Sequence, residues 1–126
     1  MKYALLIYGA PGAANGVQPA AALADDGVID SWIDYTAAMK ESGALLAAEQ
    51  LAQVDTATSV TARGGERLLI DGPFMETKEH LLGFYLLDVP DLDTALDWAA
   101  RMPIVRYGTV EVRPVLEGQA WRAPLE

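Results

Sequence analysis

A continuous apolar run, Tyr3 to Tyr8, is closed by Gly9-Ala10-Pro11-Gly12, and this stretch limits the fold more than any other. Six apolar residues in succession are too few for a signal-peptide core and far short of the roughly 20 that span a bilayer. What remains is a buried central β-strand, covered on both faces and ended by turn residues. Residues 9–22 follow as a loop rich in Ala, Gly and Pro, long enough to act as a flap.

The rest of the chain supplies the cover. Ile29, Trp32, Ile33, Thr36 and Met39 recur at helical spacing between Asp26 and Ser42, with acids at the favourable N-terminal end and Gly43 as the stop. This predicts an amphipathic helix whose polar side, Asp30, Asp34 and Glu41, faces water. Ala44 to Leu51 and Thr56 to Ala62 read as strands, and Arg63-Gly64-Gly65-Glu66 is a hairpin turn into Arg67 to Ile70. These three strands are expected to form a meander that delivers the chain to Asp71. Leu81 to Val89 is a further strand, with Gly83 marking a bulge or close approach.

Asp91 is a helix N-cap, Leu92, Ala95, Leu96 and Ala99 form the expected buried stripe, Asp97 is placed to pair with Arg101, and Pro103 is the stop. Thr109 to Arg113 alternates, so Thr109, Glu111 and Arg113 share one face of a last strand. Strand, helix, several strands, helix, strand is the order of an α+β sandwich of the ferredoxin-like type, with an antiparallel sheet and two main helices. Residues 1–116 are expected to form one domain and residues 117–126 a tail containing Trp121, which a partner subunit would cover.

Composition narrows the function. The 126 residues suit a single domain, and their 52% hydrophobic content leaves apolar surface that points to an oligomer. Pairing two such sheets face to face in a homodimer would hide it. A net charge of −9, spread over both halves, opposes direct nucleic-acid binding, which needs a basic patch. Without cysteine there is no thiol catalysis or cysteine-based zinc site, and a single histidine, His80, cannot build a histidine-rich metal site. No phosphate loop or nucleophile elbow is present. The expectation is a cytoplasmic protein with no metal, no cofactor and no membrane association.

Chemistry concentrates in Asp71-Gly72-Pro73-Phe74-Met75-Glu76-Thr77-Lys78, a stiff polar turn between two apolar runs. Asp71 has two readings: a turn-forming residue that bonds backbone amides downstream, or a carboxylate presented to a cleft as a general base, with Lys78 supplying positive charge for an anionic substrate or developing enolate. Glu76 is a second acid or a surface partner of Lys78. Before the last strand, Tyr107 is placed to donate to a ligand and Arg106 to bind a carboxylate; Tyr8, at a strand end, and Phe74 are candidates to line a pocket.

Taken together, Met1-Lys2-Tyr3 to Tyr8, Asp71-Gly72-Pro73-Phe74 with Glu76-Thr77-Lys78-Glu79, Gly83-Phe84-Tyr85, Asp91-Leu92-Asp93 to Ala100 and Gly108 to Pro114 resemble the DGPF-type branch of the YCII-related family. The resemblance implies a dimeric α/β barrel in which two ferredoxin-like sheets close on one another. The wider superfamily includes small isomerases, lyases and monooxygenases that work without a metal, and the YCII group proper looks like acid-base enzymes using a histidine and an aspartate. Here the Asp26–Ser42 helix has no histidine, His80 stands where relatives commonly have glutamine, and Tyr107 where many have histidine, so that dyad is not carried over. Asp71 and Lys78 are, as the motif carboxylate and lysine. The resemblance implies no settled reaction; the expectation, from an acid and a lysine beside aromatic strands, is a protein that binds a small organic ligand and acts on it as a cofactor-independent acid-base enzyme of isomerase or lyase type through Asp71, and the alternative is a non-catalytic regulatory partner of an extracytoplasmic-function sigma factor or another protein, in a bacterium.

Overall fold

The computed structural model describes residues 1–10, 26–75, 77–106 and 108–117. Its strands are β1 (Lys2–Gly9), β2 (Leu45–Gln50), β3 (Thr58–Arg63), β4 (Glu66–Asp71), β5 (His80–Asp88) and β6 (Thr109–Pro114); its helices are α1 (Asp26–Glu41) and α2 (Leu92–Arg101). Short 3-10 turns at Val54–Thr56 and Pro103–Arg106 complete the path. Four strands pair in the order β2-β5-β1-β6, every neighbour antiparallel. With both helices packed on one side, this is the ferredoxin-like α+β arrangement.

The helix-facing side holds the core. Tyr3, Leu5 and Ile7 of β1, Tyr85 and Leu87 of β5, Tyr35 and Met39 of α1, and Ala95, Trp98 and Ala99 of α2 are all buried together. Aromatic rings tie the layers: Tyr35 meets Tyr85 at 5.7 Å and Trp98 at 5.8 Å between centroids, both edge to face. The Tyr35 hydroxyl donates to the Trp98 carbonyl oxygen at 2.8 Å, and Thr36 and Tyr85 share a hydroxyl pair at 2.6 Å. Burial pushes the Tyr35 phenol far above its ordinary pKa, with the neighbouring Tyr85 adding to the rise, so it stays a donor.

Five sequence expectations change. Strand β1 is covered on one face only: Tyr3, Leu5, Ile7 and Gly9 are buried, while Lys2, Ala4, Leu6 and Tyr8 are half-buried on the side with no helix. The meander does not form, because β2 joins the main sheet beside β5 while β3 and β4 pair only with each other. The reason lies between them: Leu51 N–H donates to Leu82 at 2.8 Å, holding the end of β2 to β5, and the Val54–Thr56 turn then leads the chain out of the sheet. On α2 the buried stripe is Ala95, Trp98 and Ala99, with Leu92 and Leu96 exposed, since the large Trp98 ring takes the place against Tyr35. Arg101 lies over the Trp98 ring at 4.3 Å and makes no ion pair with Asp97. On α1, Ile33 is exposed and the unpredicted Tyr35 is buried in its stead.

Other expectations hold. Asp91 caps α2 by accepting from Thr94 N–H at 2.9 Å. Strand β5 is bulged opposite the Ile7 to Tyr8 step, and a Cβ on Gly83 would stand 2.6 Å from the Glu49 carbonyl oxygen, so both readings of that glycine apply. The Gly9 to Ala22 loop falls, from residue 11 on, outside the described residues, as does the tail with Trp121.

Candidate functional site

The sheet face without helices is where the chain's unused chemistry gathers. Cross-strand register sets Leu6 of β1 between Phe84 of β5 and Glu111 of β6, and Ala4 between Leu86 and Arg113. Glu49 of the edge strand β2 lies beside Phe84, and Ala47 beside Leu86. Leu6, Phe84 and Leu86 thus make a half-buried apolar floor. Strand alternation requires this: the residues that flank the core residues Leu5, Tyr85 and Leu87 along their own strands point the other way.

Polar groups converge at the Tyr8 end of that floor. The Tyr8 hydroxyl donates to Glu111 Oε1 at 3.4 Å, and Thr109 Oγ1 donates to Glu79 Oε1 at 3.1 Å. Burial raises the Tyr8 pKa, the Glu111 carboxylate raises it further by charge and hydrogen bond, and Arg113 partly opposes this. At neutral pH the phenol therefore keeps its proton and acts as a donor. A phenol and two carboxylates at the edge of an apolar floor are groups able to orient the polar end of a small molecule.

The predicted residues divide. Tyr8 sits in this cluster, and Lys78 precedes its Glu79, yet the lysine is exposed and among the described residues makes no ion pair. Asp71 ends β4, exposed and opposite Thr58. Among the described residues its carboxylate makes no hydrogen bond; the turn is held instead by Gly72 N–H to Ala57 at 2.6 Å, Ser59 Oγ to the Gly72 carbonyl oxygen at 2.8 Å, and the left-handed φ of +98° at Gly72. Phe74 is 79% exposed, and Arg106, at the end of its 3-10 turn, is exposed as well. Among the described residues no hydrogen bond or ion pair joins Asp71, Lys78 or Arg106 to the Tyr8 cluster. Glu76 and Tyr107 lie outside the described residues.

Sequence reasoning placed Thr109 and Glu111 on a common face but gave Glu79 no role; its one signal was proximity to the motif lysine. A second feature it read only as core lies on the helix side, where Trp32, Ile33, Thr36, Ala37 and Lys40 of α1 line a shallow apolar groove of about 430 Å³. There the Trp32 ring stacks on Tyr85 at 6.3 Å, with its buried indole N–H unpaired. Among the described residues no three potential metal ligands cluster, and no helix is long and apolar enough to cross a membrane.

Comparison with known proteins adds a family. The model described as the YCII-related domain matches residues 1–119. An uncharacterized protein of Rhizobium meliloti (strain 1021) is 43% identical over 77 residues, which cover 60% of this chain and 62% of that protein. The chain therefore matches somewhat less than two thirds of this curated relative's length.

Proposed function

Because the chain belongs to the YCII-related family, we propose that it works as a homodimer that binds a small organic molecule over the open sheet face and moves a proton on it through Asp71. The observation that carries this reading is the pairing of an apolar floor, Leu6, Phe84 and Leu86, with the hydrogen-bonded Tyr8, Glu111, Thr109 and Glu79 at one end. An apolar sheet face left open in a monomer is a surface for association, and a two-fold pairing of identical faces closes it without leaving a new edge. The Tyr8 phenol orients the ligand, and Asp71 carries the unpaired carboxylate suited to a general base.

Light scattering tests the assembly, which should weigh twice the 13.5 kDa of one chain. A thermal-shift screen with small organic acids, lactones and aromatic metabolites near neutral pH tests the ligand. A compound at 100 times its dissociation constant should stabilise the fold by about 2.7 kcal/mol. Hits that survive unchanged in both Tyr8→Phe and Asp71→Asn would exclude this site.

One observation favours a second reading, a non-catalytic regulator that binds a sigma factor or another protein: the β3-β4 hairpin exposes Val60, Leu68, Leu69 and Ile70 to solvent. Such a regulator would copurify with its partner from its native cell, and removal of the hairpin would abolish the complex.

A further inference from the structure

The β3-β4 hairpin stands away from its own sheet as an arm, and its two faces differ. Register puts Ser59, Thr61 and Arg63 with Ile70, Leu68 and Glu66 on one face, and Thr58, Val60 and Ala62 with Asp71, Leu69 and Arg67 on the other. The second face is the more open, with Val60 63% and Leu69 62% exposed. It runs from the carboxylate of Asp71 at the base, across these apolar residues, to the guanidinium of Arg67 near the tip, neither of them paired among the described residues. A two-stranded hairpin without cover is marginal in water. The four-stranded sheet does not provide that cover: among the described residues β3 and β4 pack substantially only on each other.

The arm springs from the Gln50 end of the edge strand β2, and that end is level with the Tyr8 end of β1, since Gln50 pairs with Gly83 and Gly83 with Ile7. Within one sheet the Glu111 and Thr109 of β6 lie three strand spacings from β2, roughly 14 Å away. A second copy changes this. When two such sheets face each other about a two-fold axis running along the strands, β2 of one lies opposite β6 of the other and the Tyr8 ends stay together. Charge agrees with a copy of this chain as the occupant: in a molecule of net charge −9 the arm is neutral, with Arg63 and Arg67 balancing Glu66 and Asp71, and the β6 edge it meets offers the exposed carboxylate of Glu111 to Arg67.

We infer that the open face of the arm docks beside β6 of a second copy, so that each site joins Tyr8, Thr109 and Glu111 of one chain to Asp71 of its partner. This rests on the homodimer proposed above. It accounts for a motif carboxylate that is exposed and unbonded within its own chain, and it makes the arm a specificity element for self-association.

The absence of cysteine makes the test direct. Two single-cysteine chains, Val60→Cys and Thr109→Cys, are mixed, dissociated and reassociated, then treated with a short bis-maleimide. Cross-linked pairs should form in the mixture and not in either variant alone, with Leu69→Cys replacing Val60→Cys if that variant melts early. A dimer by light scattering with no cross-link overturns the docked arm while leaving the homodimer standing. Reaction of both cysteines within one chain of the double variant, giving no pairs, also overturns it. A 13.5 kDa particle throughout removes the homodimer reading itself.

Discussion

Replacing Gly83 with alanine separates two opposing effects whose balance the structure decides. Glycine inside a strand normally weakens it, and where the backbone is compatible a change to alanine stabilises by about 0.4–1 kcal/mol through the unfolded state. Here a Cβ would stand 2.6 Å from the Glu49 carbonyl oxygen, 3.3 Å from Gln50 Cα and 3.5 Å from Glu49 carbonyl carbon. All three are backbone atoms, so no rotamer change relieves the contact, and β2 must move by several tenths of an ångström from β5. Overpacking of this kind costs about 1–3 kcal/mol. Setting the unfolded-state gain against it leaves a net loss of about 1–2 kcal/mol, or roughly 4–8 °C in melting temperature for a domain of this size. Urea unfolding followed by circular dichroism should show a lower midpoint at unchanged slope. Gly43→Ala is the control: it has open space but a φ of +83°, so its loss of about 1 kcal/mol comes from backbone strain alone. A Gly83→Ala chain as stable as wild type, or more so, would refute the argument that β2 and β5 approach too closely there for a side chain.

Changing Met39, fully buried on the inner face of α1, to alanine should cost about 2–5 kcal/mol of stability, measured by the same unfolding curves. Tyr35→Phe strands the Trp98 carbonyl bond and should cost about 1 kcal/mol near neutral pH. Because burial raises the Tyr35 pKa, its contribution is complete below the ordinary tyrosine value of 10.0 and fades above it, so wild type should lose stability at alkaline pH more steeply than the variant in melts between pH 8 and 11. Asp91→Ala should lower the melting temperature at neutral pH through loss of the α2 cap. The bonds from Thr94 lower the Asp91 pKa, so this deficit is complete above the ordinary aspartate value of 3.8 and shrinks as pH falls below it; a gap between the two chains constant from pH 6 to pH 2 would contradict the cap.

The architecture was largely legible because hydrophobic period and turn chemistry are local. Leu81 to Val89, Thr109 to Arg113 and the Asp91 cap all fell within a residue or two of their places. Their partners were not legible, since which strands pair is a long-range matter. A Thr- and Val-rich stretch such as 56–62 reads alike whether it joins a meander or leaves the sheet. The covered side of β1 was misjudged for a related reason: six apolar residues in a row satisfy a two-sided strand, yet only the helix-facing half is buried here. At the candidate site, Tyr8 could be named because it ends an apolar run, whereas Glu79 depends on a hydrogen bond from Thr109, 30 positions away. No sequence period records such a contact.

The strand order also governs how this chain must be made. During synthesis β1 emerges first but pairs only with β5 and β6, which follow it by more than 70 residues. At about 5–20 residues per second, an apolar strand waits on the order of 4–15 s for its first neighbour on the ribosome. The hairpin arm, whose contacts are all short-range, closes in microseconds once it emerges. A chain halted after residue 79 should therefore carry an orphaned β1 beside an arm that opens and closes, since a hairpin without cover is marginal in water. That is the stage at which a chaperone would find the most to hold, and deuterium exchange on such a stalled chain would report both.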